Sequence, residues 1–183
     1  HRDRPGAGLT AEWAAAGERL EDIPLASWLP GPFLHRAQSG EDLGTRMAAA
    51  LGRRLASGGR AALLGTDFPD LPPEFVMDAF TALENSENAP AAALGPARDG
   101  GYYLIGLNRF ESGVFTDIEW GGGGVFETQK NILESLGFRV HILPEWGDVD
   151  TPEDLDALRE RLAASPGSAP AARAALAELS ATD

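Results

Sequence analysis

The sequence predicts an α/β fold with a mostly parallel sheet. Three observations predict it. Short apolar runs such as "AALL" and "APAAALG" do not alternate, which suits strands buried on both faces. Between them lie segments whose apolar residues recur at helical spacing. Several of the strands run directly into loops rich in Gly, Asp or Pro, and a helix–strand–helix–strand order with such loops is that of an open α/β sheet.

Taken in order, residues 1–40 carry the weakest pattern. "LTAEWAAAGERLEDIPLASWL" reads as a short strand followed by a helix. Residues 42–56, "DLGTRMAAALGRRLA", form a clearer helix, with Leu43, Met47, Ala50, Leu51 and Leu55 on one face and Gly58-Gly59 as its stop. Residues 61–64 are a short buried strand. Pro72-Pro73 opens the next helix, which turns Val76, Ala79, Phe80 and Leu83 inward. Residues 89–95 are a strand, "GPARDGG" a loop and residues 102–107, "YYLIGL", another strand. "WGGGG" leads into a helix over 125–136, stopped by Gly137, and residues 138–143, "FRVHIL", are the last strand. The final helix begins at "DTPEDLDALRERL", with Thr151 as N-cap, Pro152 in the first helical position and Asp154 completing a Thr-x-x-Asp capping box. Residues 1–164 thus read as a single domain. Residues 165–183 read as an Ala/Pro/Ser-rich tail, a frayed helix or disordered.

A chain of 183 residues, 43% of them hydrophobic, can bury one sizeable core. No internal repeat is visible. The absence of cysteine excludes disulfides, thiolate zinc sites, iron–sulfur clusters and cysteine nucleophiles. A net charge of −13 disfavours nucleic acid and anionic membranes as partners. Lys130 is the only lysine, so arginines, helix N-termini or a metal ion must serve any bound phosphate. No apolar run reaches the ~20 residues of a membrane span. The polar start "HRDRPGAGLTAEW" lacks the apolar stretch of a signal peptide, which makes a cytoplasmic protein the default expectation.

The candidate chemistry lies in loops that follow strands, where α/β sheets bind ligands. In "GTDFPD", Asp67 ends a strand and Asp70 follows three residues later. Hard carboxylate oxygens at a strand tip suit Mg²⁺ or Mn²⁺, which take one or two carboxylates plus substrate phosphates. Asp70, just before Leu-Pro-Pro, reads equally well as a cap or shaper of the turn into the helix. In "GDVDTP", Asp148 and Asp150 precede a helix whose dipole favours negative charge, yet two aspartates exceed what capping needs. If the loops share a rim, Asp67 and Asp150 could clamp one divalent cation that holds a diphosphate and stabilises a leaving group. Gly95, Gly100 and Gly101 in "GPARDGG" allow positive φ or close backbone approach. That loop is either a place for a phosphate or sugar hydroxyl, with Asp99 accepting from the hydroxyl, or a tight turn between two strands. Gly121–Gly124 ahead of a helix could approach a phosphate or be a plain loop; no Walker-type Gly-Lys-Ser/Thr is present.

Four segments together, "LLGTDFPDLPPE", "LGPARDGGYYLIGL", "IEWGGGGVFETQ" and "GDVDTPEDL", resemble a bacterial family of uncharacterised glycosyltransferase-A-like proteins, often labelled radical-SAM/selenodomain-associated transferases. "QSGEDLGTRMAAAL" matches the family's Gln-x-x-Gly-Asp-Leu-Gly-x-Arg-Met-like segment, and the resemblance runs from Gln38 to Leu162. It implies a three-layer α/β sandwich with a mostly parallel central sheet, of the nucleotide-diphospho-sugar transferase (glycosyltransferase-A) type. It implies a metal-dependent glycosyl- or nucleotidyltransferase, more distantly similar to molybdenum-cofactor and phospholactate guanylyltransferases, that uses Mg²⁺ or Mn²⁺, a nucleotide or nucleotide-sugar and an acceptor. By the same resemblance Asp67 and Asp150 are the metal-side, catalytic residues. Gln38, Asp42 and Arg46 line the nucleotide side, and Asp99, Gly100, Gly101, Tyr102 and Trp120 line the acceptor or sugar side. The chain departs from the family in two places. The first strand and the basic Pro-Gly-x-x-Lys-Thr-Arg-Leu loop that holds nucleotide phosphates are not seen, and the family's Trp-Gly/Ser-Thr segment reads "WGGGG". A partner, or a second copy of the chain in a homo-oligomer, is one expectation for the missing strand.

Two other readings follow from the residues. One is a non-catalytic nucleotide- or ligand-binding or interaction domain that has lost the phosphate loop. The other, a phosphatase with Asp67 as nucleophile, fits poorly, because such enzymes place two aspartates two residues apart and here the spacing is three.

Overall fold

The computed structural model describes residues 10–15, 34–86 and 89–180. The helix expected after the first strand falls on residues outside that set. The chain divides into two compact units, His1–Ala50 and Leu51–Asp183. In the first, strands β1 (Glu12–Ala15) and β2 (Leu34–Ala37) pair in parallel, Glu12 opposite Leu34 and Ala15 opposite Ala37. Helix α1 (Leu43–Leu55) begins in this unit. Its start is set by Asp42, whose Oδ1 accepts from the Thr45 amide at 2.7 Å while the Asp42 amide donates to Thr45 Oγ1 at 3.1 Å. This is a reciprocal cap with threonine at the third position.

The second unit carries β3 (Ala61–Leu64), α2 (Pro73–Asn85), β4 (Ala91–Pro96), β5 (Tyr102–Leu107), α3 (Val125–Ser135), β6 (Arg139–Ile142), α4 (Pro152–Ala164) and α5 (Pro170–Ser180). The four strands form one sheet in the order β3-β5-β4-β6. Here the expectation of a mostly parallel sheet is corrected. β5 pairs antiparallel with both β3 and β4, and only β4–β6 is a parallel pair. The reason is local: residues 97–101 are too few for a parallel crossover, which needs a dozen or more residues, so β5 must return as a hairpin. One reversed strand placed centrally makes two pairings antiparallel, yet β3, β4 and β6 still run the same way. Their carboxyl ends therefore lie on one side of the sheet.

Side-chain alternation divides the core into two clusters. Ala92, Leu94, Ile105 and Leu107 pack with Leu51 and Leu55 of α1 and Leu133 of α3 on one side. Ala91, Ala93, Tyr103 and Leu104 pack with Ala79 and Leu83 of α2 on the other. A register shift at Gly95/Pro96 leaves Tyr103 as an extra residue opposite β4, which puts it on the same side as its neighbour Leu104. Gly95 is required beneath it, since a Cβ there would lie 2.3 Å from the buried Tyr103 ring.

The tail contains α5. Ala172 packs with Leu158 and Leu162 of α4. The Arg173 guanidinium donates to the carbonyls of Leu162, Ser165 and Ser168, which satisfies the acceptors at the end of α4 and favours its negative pole. Among the described residues no helix is long and apolar enough to cross a membrane.

Candidate functional site

The loops after β3, β4 and β6 meet on the shared rim. Asp67, exposed at the tip of β3, accepts at its backbone oxygen from the Val149 amide at 3.0 Å. That bond sets Asp67 beside the Asp148-Val149-Asp150 segment. The loop after β4 is tied in through Ala97, which bridges to Trp146, and through the Arg98 amide, which donates to the Trp146 carbonyl at 3.2 Å. Asp99 and Asp150 both press on Asp148. Burial first, and then the charges of Asp99, Asp150 and Asp154, push the Asp148 carboxyl above its ordinary value. Asp67, Asp99, Asp148 and Asp150 are thus brought to one rim, as the sequence led one to expect, and the rim is electronegative.

The side chains are held to different degrees. Thr66 Oγ1 donates to Asp67 Oδ1 at 3.0 Å and orients that carboxylate. Asp99 Oδ1 accepts from the Gly101 amide at 2.8 Å, a local turn that fixes the loop. Gly100 has φ of +89° and is pressed onto the four-glycine segment: a Cβ there would lie 2.1 Å from the Gly123 oxygen. The Phe126 amide donates to the Gly100 carbonyl at 2.9 Å. The two glycine-rich loops are therefore stacked on each other, which only residues without Cβ allow. Asp150 is exposed and immediately precedes the N-cap of α4, where the Thr151–Asp154 capping box forms as expected, with the Thr151 amide on Asp154 Oδ2 at 2.9 Å.

Tyr102 and Trp120 are each partly buried. The Tyr102 ring packs against the α1/α3 side of the core, its hydroxyl donates to Gln129 Oε1 at 3.2 Å, and burial pushes its phenol well above the usual range. Trp120 is half-buried, with its ring 6.5 Å from that of Phe115. Of the residues in the first unit, Gln38 donates to the Ala14 carbonyl at 3.1 Å, Asp42 caps α1, and Arg46 Nε donates to the Gly40 carbonyl at 3.0 Å. The Thr45 amide and hydroxyl hold the Asp42 carboxyl below its ordinary value.

Asp70 is the residue whose role differs most from its sequence reading. Helix α2 is entered through Pro72 with no side-chain cap. Asp70 instead is buried, and its carboxylate faces Arg161 of α4, with Nε on Oδ2 at 2.7 Å and an Nη on Oδ1 at 3.1 Å. The Trp146 indole N–H donates to Oδ1 at 3.2 Å. Arg161 lies 5.7 Å from the Trp146 ring centre, and Phe75 meets that ring edge-on at 5.4 Å. Trp146 and Arg161 carried no local signal in the sequence, since Arg161 lies 91 residues from its partner.

The donor set can be weighed against Mg²⁺ or Mn²⁺. Among the described residues no three His, Cys, Asp or Glu side chains converge to enclose a metal. Asp67 and Asp150, two exposed carboxylates on hydrogen-bonded loops, are instead the kind of donor used by an ion that keeps water and takes phosphate oxygens as its remaining ligands. Among the described residues the donors do not make a closed structural site.

Residues 7–122 match a protein family described as uncharacterized proteins conserved in bacteria, DUF2064. The chain belongs to the DUF2064 family. It is also similar to the crystal structure of the putative nucleotide-diphospho-sugar transferase from Desulfovibrio desulfuricans G20, with 35% identity and a TM-score of 0.75 over 85% of this chain. The chain spans 66% of that protein's length, a little under two thirds. No curated protein matches the sequence.

Proposed function

We propose that this DUF2064 chain is a metal-dependent transferase acting on a nucleoside diphosphate-sugar or a nucleoside triphosphate. The observation that carries the reading is the hydrogen bond from the Val149 amide to the Asp67 carbonyl at 3.0 Å, which joins the two acidic loops into one rim. The likeness to a nucleotide-diphospho-sugar transferase of 35% identity supports it.

In this reading Asp67 and Asp150 hold Mg²⁺ or Mn²⁺, which when bound supplies positive charge to a diphosphate and its leaving oxygen. Thr66 keeps the Asp67 carboxylate oriented through its 3.0 Å hydrogen bond. Asp99, fixed by the Gly101 amide, presents an acceptor to a hydroxyl of the sugar or acceptor. Catalysis here is positioning and charge neutralisation, so rigid loops matter more than an activated side chain. Calorimetry or a thermal shift with Mn²⁺ and a panel of nucleoside diphosphate-sugars and nucleoside triphosphates tests the whole. Metal-dependent binding with transfer to an acceptor is the expected result. Binding without turnover would favour a binding domain, and no shift with any nucleotide would refute the reading.

A further inference from the structure

We propose that Asp70, acting through Arg161 and Trp146, is a positioning residue that sets the spacing of the two acidic loops. The inference rests on the transferase reading for its purpose, while its geometry stands independently of that reading. Asp70 lies three residues after Asp67 in the same loop and its side chain is 3% exposed. Three donors converge on its carboxylate: two Arg161 nitrogens at 2.7 and 3.1 Å and the Trp146 indole N–H at 3.2 Å. The same Arg161 also donates to the Gly147 carbonyl at 3.4 Å. Gly147 is closed in beneath it, since a Cβ there would meet an Arg161 nitrogen at 3.2 Å.

These bonds form a closed circuit. From Asp67 the chain turns through Phe68, whose carbonyl accepts from Leu71, to Asp70. Asp70 grips Trp146 and, through Arg161, Gly147. The chain then runs on through Asp148 to Val149, whose amide returns to the Asp67 carbonyl. Asp150, the other candidate ligand, is the next residue. Helix α4 starts directly after Asp150, and Arg161 reaches back from its last turns, so the helix that follows the loop also holds the loop's beginning.

Stability alone does not call for such a pair. Well-packed apolar residues of similar volume commonly serve a buried site as well as an ion pair does, or better. What an Arg–carboxylate fork adds is direction, because the planar guanidinium fixes both partners in angle as well as distance. Groups that orient ligand-bearing segments typically change metal affinity ~10- to 100-fold when removed.

The test compares wild type with Asp70→Leu/Arg161→Met, which keeps the site filled and apolar, and with Arg161→Lys, which keeps the charge but not the fork. Amide hydrogen exchange at Val149, referred to the core amides of Ile105 and Leu107, reads the spacing without any metal. Titration with MnCl₂ alone reads its consequence. The double variant is expected to fold, to lose at least ~10-fold of Val149 protection relative to the core, and to bind Mn²⁺ at least ~10-fold more weakly, with Arg161→Lys between it and wild type. If the double variant fails to fold, Arg161→Lys alone decides by the same two readouts. Unchanged Val149 protection in a folded variant overturns the proposal. Lost protection in a protein whose wild type binds no Mn²⁺ upholds the positioning role and refutes the metal reading instead.

Discussion

Substituting Gly100 by alanine tests whether the stacked glycine loops hold the rim together. Gly100 has φ of +89°, and an alanine held near that backbone conformation costs roughly 1–2 kcal/mol. Its Cβ would also lie 2.1 Å from the Gly123 oxygen, more than an ångström inside ordinary contact, and that neighbour is backbone that no rotamer change can move. The loops must part, and the bond from the Phe126 amide to the Gly100 carbonyl at 2.9 Å is lost with them. That bond is worth roughly 0.5–1.5 kcal/mol net. Together these give a loss of about 1.5–3.5 kcal/mol, or roughly 3–14 °C in Tm for a chain of this length. Gly58→Ala is the internal control. Gly58 has φ of +78° with nothing within 4 Å of its Cβ, so it carries the backbone cost without the collision. Urea unfolding of both variants separates the two terms. If Gly100→Ala is no more destabilising than Gly58→Ala, the stacking of the two loops is not what fixes the rim.

Other outcomes follow from the same structure. Burial, and after it the charge of Asp78, pushes the Tyr103 phenol from 10.0 up to about 12. The unfolded chain then ionises first, so stability is full below pH 10.0 and falls as pH rises from there toward 12, and Tyr103→Phe should flatten that slope in alkaline unfolding. Asp154 has the opposite sign. The Thr151 hydroxyl and amide hold its carboxyl below 3.8, so its contribution is present above that pH and lost as pH falls below it. The stability advantage of wild type over Asp154→Ala should therefore be constant at neutral pH and shrink below pH 3.8, as followed by urea unfolding across an acid series.

The helices were legible because local chemistry marks them. Pro72-Pro73, Gly58-Gly59, Gly137 and the Thr151–Asp154 box each name an end, and α2, α3 and α4 begin within a residue or two of where the sequence placed them. Strand direction was less legible. The apolar composition of β5 suits a buried strand in either direction, and its hairpin is written only in the shortness of residues 97–101. Even so, the rim was placed correctly, because reversing β5 leaves β3, β4 and β6 co-directional. The adjacent tyrosines show the limit of spacing. One bulge sends Tyr102 toward the α1/α3 side and Tyr103 to the other, and a bulge has no sequence period. Asp70 was misread for a related reason: a turn next to prolines is visible locally, whereas a partner 91 residues away is not. The tail's helix likewise depends on Arg173 reaching the end of α4.

The most direct measurement is calorimetric titration of Mn²⁺ with nucleoside diphosphate-sugars and nucleoside triphosphates into wild type, Asp67→Asn and Asp150→Asn. A ligand present at 100 times its Kd stabilises the fold by about 2.7 kcal/mol, so the same samples can be read independently by thermal shift. The rim formed through the Asp67–Val149 bond predicts that at least one nucleotide binds wild type only with Mn²⁺, and that each variant binds it at least ~10-fold more weakly while unfolding at the wild-type temperature without ligand. Metal-dependent binding that both variants retain, or no binding by wild type at all, would contradict it.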